Sequence, residues 1–112
     1  MTKALYIKAL FFGALFIGVV LEVCGDILFK KWADGAGVWL IVGGALAYAA
    51  GSMFWAASLK YQDLSRAVGI FMMVNVLVVS VIGVVYFKEQ LSLANKVGLL
   101  LALISIGLLE IG

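Results

Sequence analysis

The sequence predicts an all-α membrane protein: four transmembrane helices, antiparallel neighbours, functional as a dimer. Three observations carry that prediction. Of 112 residues, 66% are hydrophobic and only 12% charged, the mean hydropathy is +1.22, and the apolar residues fall into four long runs parted by short polar links. Soluble chains carry about a quarter charged residues. The apolar surface here exceeds what the core of one small domain can bury, so the solvent it expects is lipid. The runs are continuous rather than alternating in segments of about ten residues, which argues for helices and against a barrel.

The runs cover residues 9–29, 38–59, 67–87 and 93–109 and form a single four-helix transmembrane domain spanning residues 1–112. The first three have 21, 22 and 21 residues, close to the roughly 20 needed to cross about 30 Å of hydrocarbon at about 1.5 Å per residue. The fourth has 17. It suffices if Lys96 snorkels to one interface and Glu110 marks the other. Trp32, Trp39, Tyr61 and Tyr86 fall near span ends, where an interfacial aromatic belt is expected. Links this short make consecutive helices antiparallel and place both termini on one side.

With eight basic and six acidic residues, the placement of charge matters more than its net value of +2. A cytoplasmic N-terminus would put Lys3, Lys8, Lys60 and Arg66 inside and Lys30, Lys31, Lys88 and Lys96 outside. Because Lys and Arg bias sets orientation in short-looped proteins, four against four predicts insertion either way, a dual topology.

Other classes lack their parts. There is no basic patch interleaved with aromatics, so no nucleic-acid partner is expected. With no His and one Cys, a zinc site, a disulfide framework and a His-based triad are excluded. No metal, no cofactor and no enzymatic reaction are expected. Cys24 reads as packing. Lys3 and Lys8 before an apolar run imitate a signal peptide, but Val23 and Glu22 before Cys24 are not the small residues that cleavage wants.

Glu22 lies three residues beyond the midpoint of the first run, where a charged side chain costs several kcal/mol to insert. Such a residue is by default a functional-site candidate facing a bundle interior or a wet cavity. Asp26 follows four residues later, about 6 Å along the same helical face. It has two readings: partner of the interfacial Lys30 one further i, i+4 step on, or a second carboxylate in the site. A cation entering between two such groups would displace a proton, the chemical core of proton-for-cation exchange. With Asp26 beside Glu22, divalent or polyamine-like cations become candidates.

Within the second run, Tyr48 and Trp55 are candidates to line a cavity, since aromatic faces attract cations, or to pack between helices. Asn75, mid-way along the third, needs a partner across a helix or at a ligand. Gly98, Ala102 and Ser105 form a small-residue stripe on the fourth, read as the dimer-packing face. Gly43, Ala47 and Gly51 make a similar stripe suited to packing within a subunit. Four thin helices hardly enclose a substrate path alone, so two copies are expected to converge on one cavity.

The stretch Glu22-Val23-Cys24-Gly25-Asp26-Ile27-Leu28-Phe29-Lys30 in the first of four short helices resembles the small multidrug resistance family and, more widely, the drug/metabolite transporter superfamily. Tyr48, Leu59, Tyr61 and the segment Tyr86-Phe87-Lys88-Glu89-Gln90-Leu91-Ser92 keep the same order, so the similarity covers residues 10–110. The resemblance implies a dimeric exporter, often antiparallel, in which Glu22 binds protons and cationic substrate in turn. It also implies a bacterial or archaeal plasma (inner) membrane. Gly25 is similar to the drug-exporting branch, because guanidinium exporters tend to have Trp there. Two departures stand out. The third helix reads Ala67-Val68-Gly69-Ile70-Phe71-Met72-Met73-Val74-Asn75 in place of the family's Tyr- and Trp-bearing stretch and its glycines, and Asp26 replaces a usually uncharged residue.

The functional expectation is a proton-coupled antiporter exporting small organic cations, drug-like or polyamine-like, with Glu22 as the shared proton and substrate site. Its partners are protons, cationic substrate, membrane lipid and a second copy of the chain, in a homodimer that is parallel or antiparallel. Two alternatives are a lipid-linked or metabolite flippase subunit, with Arg66 and Lys30 meeting an anionic head group, and a non-transporting membrane assembly subunit.

Overall fold

Four helices account for nearly all of the described residues, 2–112, in the computed structural model: α1 (Lys3–Ala33), α2 (Trp39–Ser58), α3 (Leu64–Val85) and α4 (Leu93–Ile111). Each is long and apolar enough to cross a membrane. Their surfaces are apolar outward: Trp39, Leu93, Met53 and Leu46 are 66–80% exposed, which in water would be an aggregation liability and in lipid is the expected state. The protein is a multi-pass integral membrane protein.

Helix bounds differ from the apolar runs because hydropathy reports the segment in hydrocarbon, whereas a helix continues until its backbone is capped. The largest difference is at α1, whose 31 residues extend about 46 Å at 1.5 Å per residue, well beyond the 9–29 run. Thr2 caps its start by accepting from the Leu5 amide at 3.2 Å, and Lys30 and Lys31 in its last turn oppose the helix dipole. The chain then leaves through Gly35 at φ +90°, a conformation glycine adopts without a Cβ clash. Helix α3 begins three residues earlier than its run, because Leu64, Ser65 and Arg66 are helical though two are polar. It also ends earlier, at Val85.

The chain divides into two compact units, one ending at Asp63 and one beginning at Leu64. In the first, α1 and α2 are antiparallel and meet backbone to backbone. A Cβ on Gly51 would lie 3.2 Å from the Gly18 carbonyl, and one on Gly25 would lie 3.1 Å from the Gly44 carbonyl. Each helix thus carries two glycines seven residues apart, and antiparallel matching pairs them at two crossing points. Along α1, Phe11, Leu15, Val19 and Val23 are nearly or fully buried.

In the second unit, α3 and α4 are also antiparallel. Gly69 receives the Leu109 side chain, Arg66 donates to the Gly112 carbonyl, and Ala67, Ile70 and Phe71 are buried. Ser92 and Asn95 form a reciprocal capping box at the start of α4. The end of α3 is closed by Lys88, whose φ of +59° is left-handed, and by the Glu89 amide donating to the Gly83 carbonyl at 3.0 Å. A non-glycine residue pays steric strain there, so Lys88→Gly is expected to stabilise the folded chain by about 1 kcal/mol. Resistance to unfolding in a detergent titration checks this. No gain would mean that a contact of the Lys88 side chain offsets its backbone strain.

Candidate functional site

Between the two glycine crossings of α1 and α2 lie the polar side chains. Glu22 sits one turn after Gly18, and its Cγ is the nearest atom, at 2.9 Å, to a Cβ built on Gly51. Tyr48 sits one turn after Gly44, and its ring covers Gly25, where an added Cβ would fall 2.5 Å from Cδ2. Glycines at these positions therefore do two things: they bring the backbones together, and they leave room for one carboxylate and one phenol to lie flat between the helices.

Tyr48 is held against α1 by its ring and by its hydroxyl. Its ring stacks on Phe29 with centroids 5.3 Å apart and planes 25° from parallel, and its hydroxyl donates to Asp26 Oδ1. The hydrogen bond gives Asp26 a partner across the helix pair. Lys30 pairs with Asp34 at 3.4 Å, one turn further along the same i, i+4 row, and the Asp26 oxygen is met by Tyr48.

Glu22 differs from Asp26. Its Oε2 is sealed from the surface and has no hydrogen-bond partner among the described residues. Buried polar atoms in native proteins are nearly always paired, and an exception asks for a cause such as a site waiting for a ligand or proton. A carboxylate oxygen left alone inside a membrane helix is such an exception, and it falls at the residue singled out from its position in the first apolar run.

The other sequence candidates separate. Trp55 is half-buried on α2 two turns after Tyr48, hence on the same helical face, and its carbonyl accepts the Ser58 hydroxyl at 2.7 Å. Asn75 is half-buried on α3, in the second unit. Within the small-residue stripe of α4, Ala102 is buried at 7% exposure, Ser105 is half-buried, and Gly98 is exposed with nothing within 4 Å of where a Cβ would stand. Gly98 borders a shallow groove between α3 and α4 lined by Val76, Ser80, Leu91, Ala94 and Leu99.

Sequence reasoning missed Phe29, Gly18 and Gly44; its stripe on α2, Gly43, Ala47 and Gly51, holds one of the two close-approach glycines. The signal was present as a matched seven-residue spacing, Gly18 with Gly25 and Gly44 with Gly51, which the antiparallel pair uses twice.

A sealed carboxylate in one of four lipid-crossing helices is a feature expected of a membrane transport protein. The family model for the Small Multidrug Resistance protein matches residues 10–103, and the chain belongs to that family. Neither a curated protein nor a solved structure matches it.

Proposed function

We propose that the protein is a proton-coupled antiporter that exports small organic cations through a cavity shared by two copies of the chain. The observation that carries this reading is Glu22 Oε2, buried and unpartnered in a membrane-spanning helix. A carboxyl group there is neutral with a proton or compensated by a cation, and the two occupants exclude each other. Cation affinity therefore falls as proton concentration rises, and each cation bound releases a proton. Nothing in this scheme needs a covalent step, a cofactor or a metal, and the protein acts as a carrier rather than an enzyme.

Reconstitution into liposomes tests it. Adding a small organic cation on one side should move protons the opposite way, and an imposed proton gradient should drive cation accumulation. If cations cross without proton movement, or not at all, the reading fails.

The even division of basic residues supports insertion in both orientations, hence an antiparallel homodimer, in a bacterial or archaeal inner membrane. Two lysines added after Gly112 unbalance the four-against-four count and should drive the population toward cytoplasmic termini. Accessibility tags at the C-terminus report the split. A single orientation in the unmodified chain would replace the antiparallel dimer with a parallel one.

A further inference from the structure

We infer that the groove between α3 and α4 seats one acyl chain of an anionic phospholipid, with the lipid phosphate held by Lys88 and Lys96 at the groove mouth. The inference stands apart from the antiporter reading, since it concerns the second unit of the chain and no residue of the carboxylate site.

Two hollows, of about 260 and 390 Å³, share Ser80, Leu91 and Leu99 and so run together along the seam of α3 and α4. Their α3 wall reaches from Val76 to Val85, a step of nine residues that rises about 14 Å at 1.5 Å per residue. That is close to the depth of one leaflet, half of a hydrocarbon core of about 30 Å. The lining is aliphatic apart from Ser80 and Asn95, and Asn95 is engaged in the capping box with Ser92. On α4 the wall includes Gly98, where an added Cβ would meet nothing within 4 Å. The absent side chain leaves the width that a chain of methylenes needs.

Charge at the mouth selects the lipid. Lys88 lies between Val85 and Leu91, which both line the groove, and Lys96 follows Asn95, also in the lining. Both lysines are exposed, and neither takes part in an ion pair among the described residues. Glu89, the acid between them in the chain, is turned onto α3, where its Oε1 is the nearest atom to a Cβ built on Gly83. Tyr86, exposed just after α3, marks the headgroup level, and lysine stems are long and flexible enough to bring their ammonium groups to it. Basic groups at that level beside a seam of membrane helices attract anionic headgroups, whereas a zwitterionic headgroup brings an ammonium of its own. The groove by itself does not discriminate, because a lipid tail gains nothing by exchanging hydrocarbon for leucine and valine. It fixes where the chain lies, and the lysines decide which headgroup that chain carries.

The test is lipid retention by the full chain in mild detergent, read by native mass spectrometry after exposure to equal amounts of dioleoyl phosphatidylglycerol and dioleoyl phosphatidylcholine. The unmodified chain should retain the anionic lipid about tenfold or more over the zwitterionic one. Lys88→Asn combined with Lys96→Gln should bring that ratio to about one. Asn tolerates the left-handed backbone at Lys88, and Lys96→Gln alone, at an exposed helical position, should lower the ratio severalfold and serves if the double variant does not fold. Gly98→Leu fills the groove and leaves both lysines in place, so it should lower retention of phosphatidylglycerol by roughly fivefold or more. Glycerophosphoglycerol, the same headgroup without chains, should not displace the lipid.

Equal retention of the two lipids by the unmodified chain, or a preference that the lysine substitutions leave unchanged, would overturn the inference. Full retention by the Gly98→Leu chain, or displacement by glycerophosphoglycerol, would mean that the lysines attract headgroups without a seated chain, and would overturn it as well. A Gly98→Leu chain that passes from dimer to monomer with its lipid retention intact would assign the groove to a second copy of the chain in place of a lipid.

Discussion

Glu22→Gln is expected to abolish cation-driven proton release in proteoliposomes and to weaken cation binding by about 30-fold or more, the cost of removing one charged partner from a desolvated ion pair. The choice of Gln matters. Glu22 Cγ lies against Gly51, and the amide keeps that stem and its volume while removing both the charge and the exchangeable proton. The glycine crossing should survive and the chain should fold. Cation binding in the unmodified protein should weaken as pH falls, because protons and cations compete for one group, and the Gln variant should lose that pH dependence together with its affinity. A Glu22→Gln chain that still couples cation entry to proton exit would move the coupling site elsewhere.

Gly25→Ala is expected to destabilise the α1–α2 unit by about 1–3 kcal/mol and to pull the Tyr48 hydroxyl away from Asp26. The new Cβ would lie 2.5 Å from Cδ2 and 2.7 Å from Cε2 of the Tyr48 ring and 3.1 Å from the Gly44 carbonyl oxygen. No flexible end is available to yield. The ring is stacked on Phe29, whose own edge lies 2.5 Å from where a Gly44 Cβ would stand, and the carbonyl belongs to the partner helix. The two helices must therefore separate. Gly13→Ala is the control, since nothing lies within 4 Å of its added Cβ and exposed helical glycines gain stability from the change. Unfolding of both variants in a detergent titration separates the cases. Equal stability would mean that the backbones of α1 and α2 do not approach as closely as the glycine crossings require.

How far each feature was legible depended on the range of the physics behind it. Four membrane helices followed from the sequence alone, because burial in lipid is a one-dimensional requirement: about 20 consecutive apolar residues meet it whatever their neighbours do. Glu22 was legible for the same reason, since a carboxylate within such a run is costly in any fold. Charge placement was equally readable as a count of Lys and Arg over the links. The helix ends were less so, because caps such as Thr2 and the left-handed Lys88 are backbone events that hydropathy does not report.

The partner of Asp26 was not legible. From the sequence, Lys30 one turn away was one of two open readings. Tyr48 lies 22 positions along the chain, and only the antiparallel match of two glycine pairs brings its hydroxyl to the carboxylate. The same long-range fit put Gly44 at a close approach of the two backbones and left Glu22 Oε2 sealed, with no hydrogen-bond partner among the described residues. Composition and periodicity determined that this chain crosses the membrane four times with an acid in its first span. Which groups that acid and its neighbour meet was decided by tertiary structure, because the sub-ångström fit of ring, glycine and carbonyl depends on two helices at once and is written in neither alone.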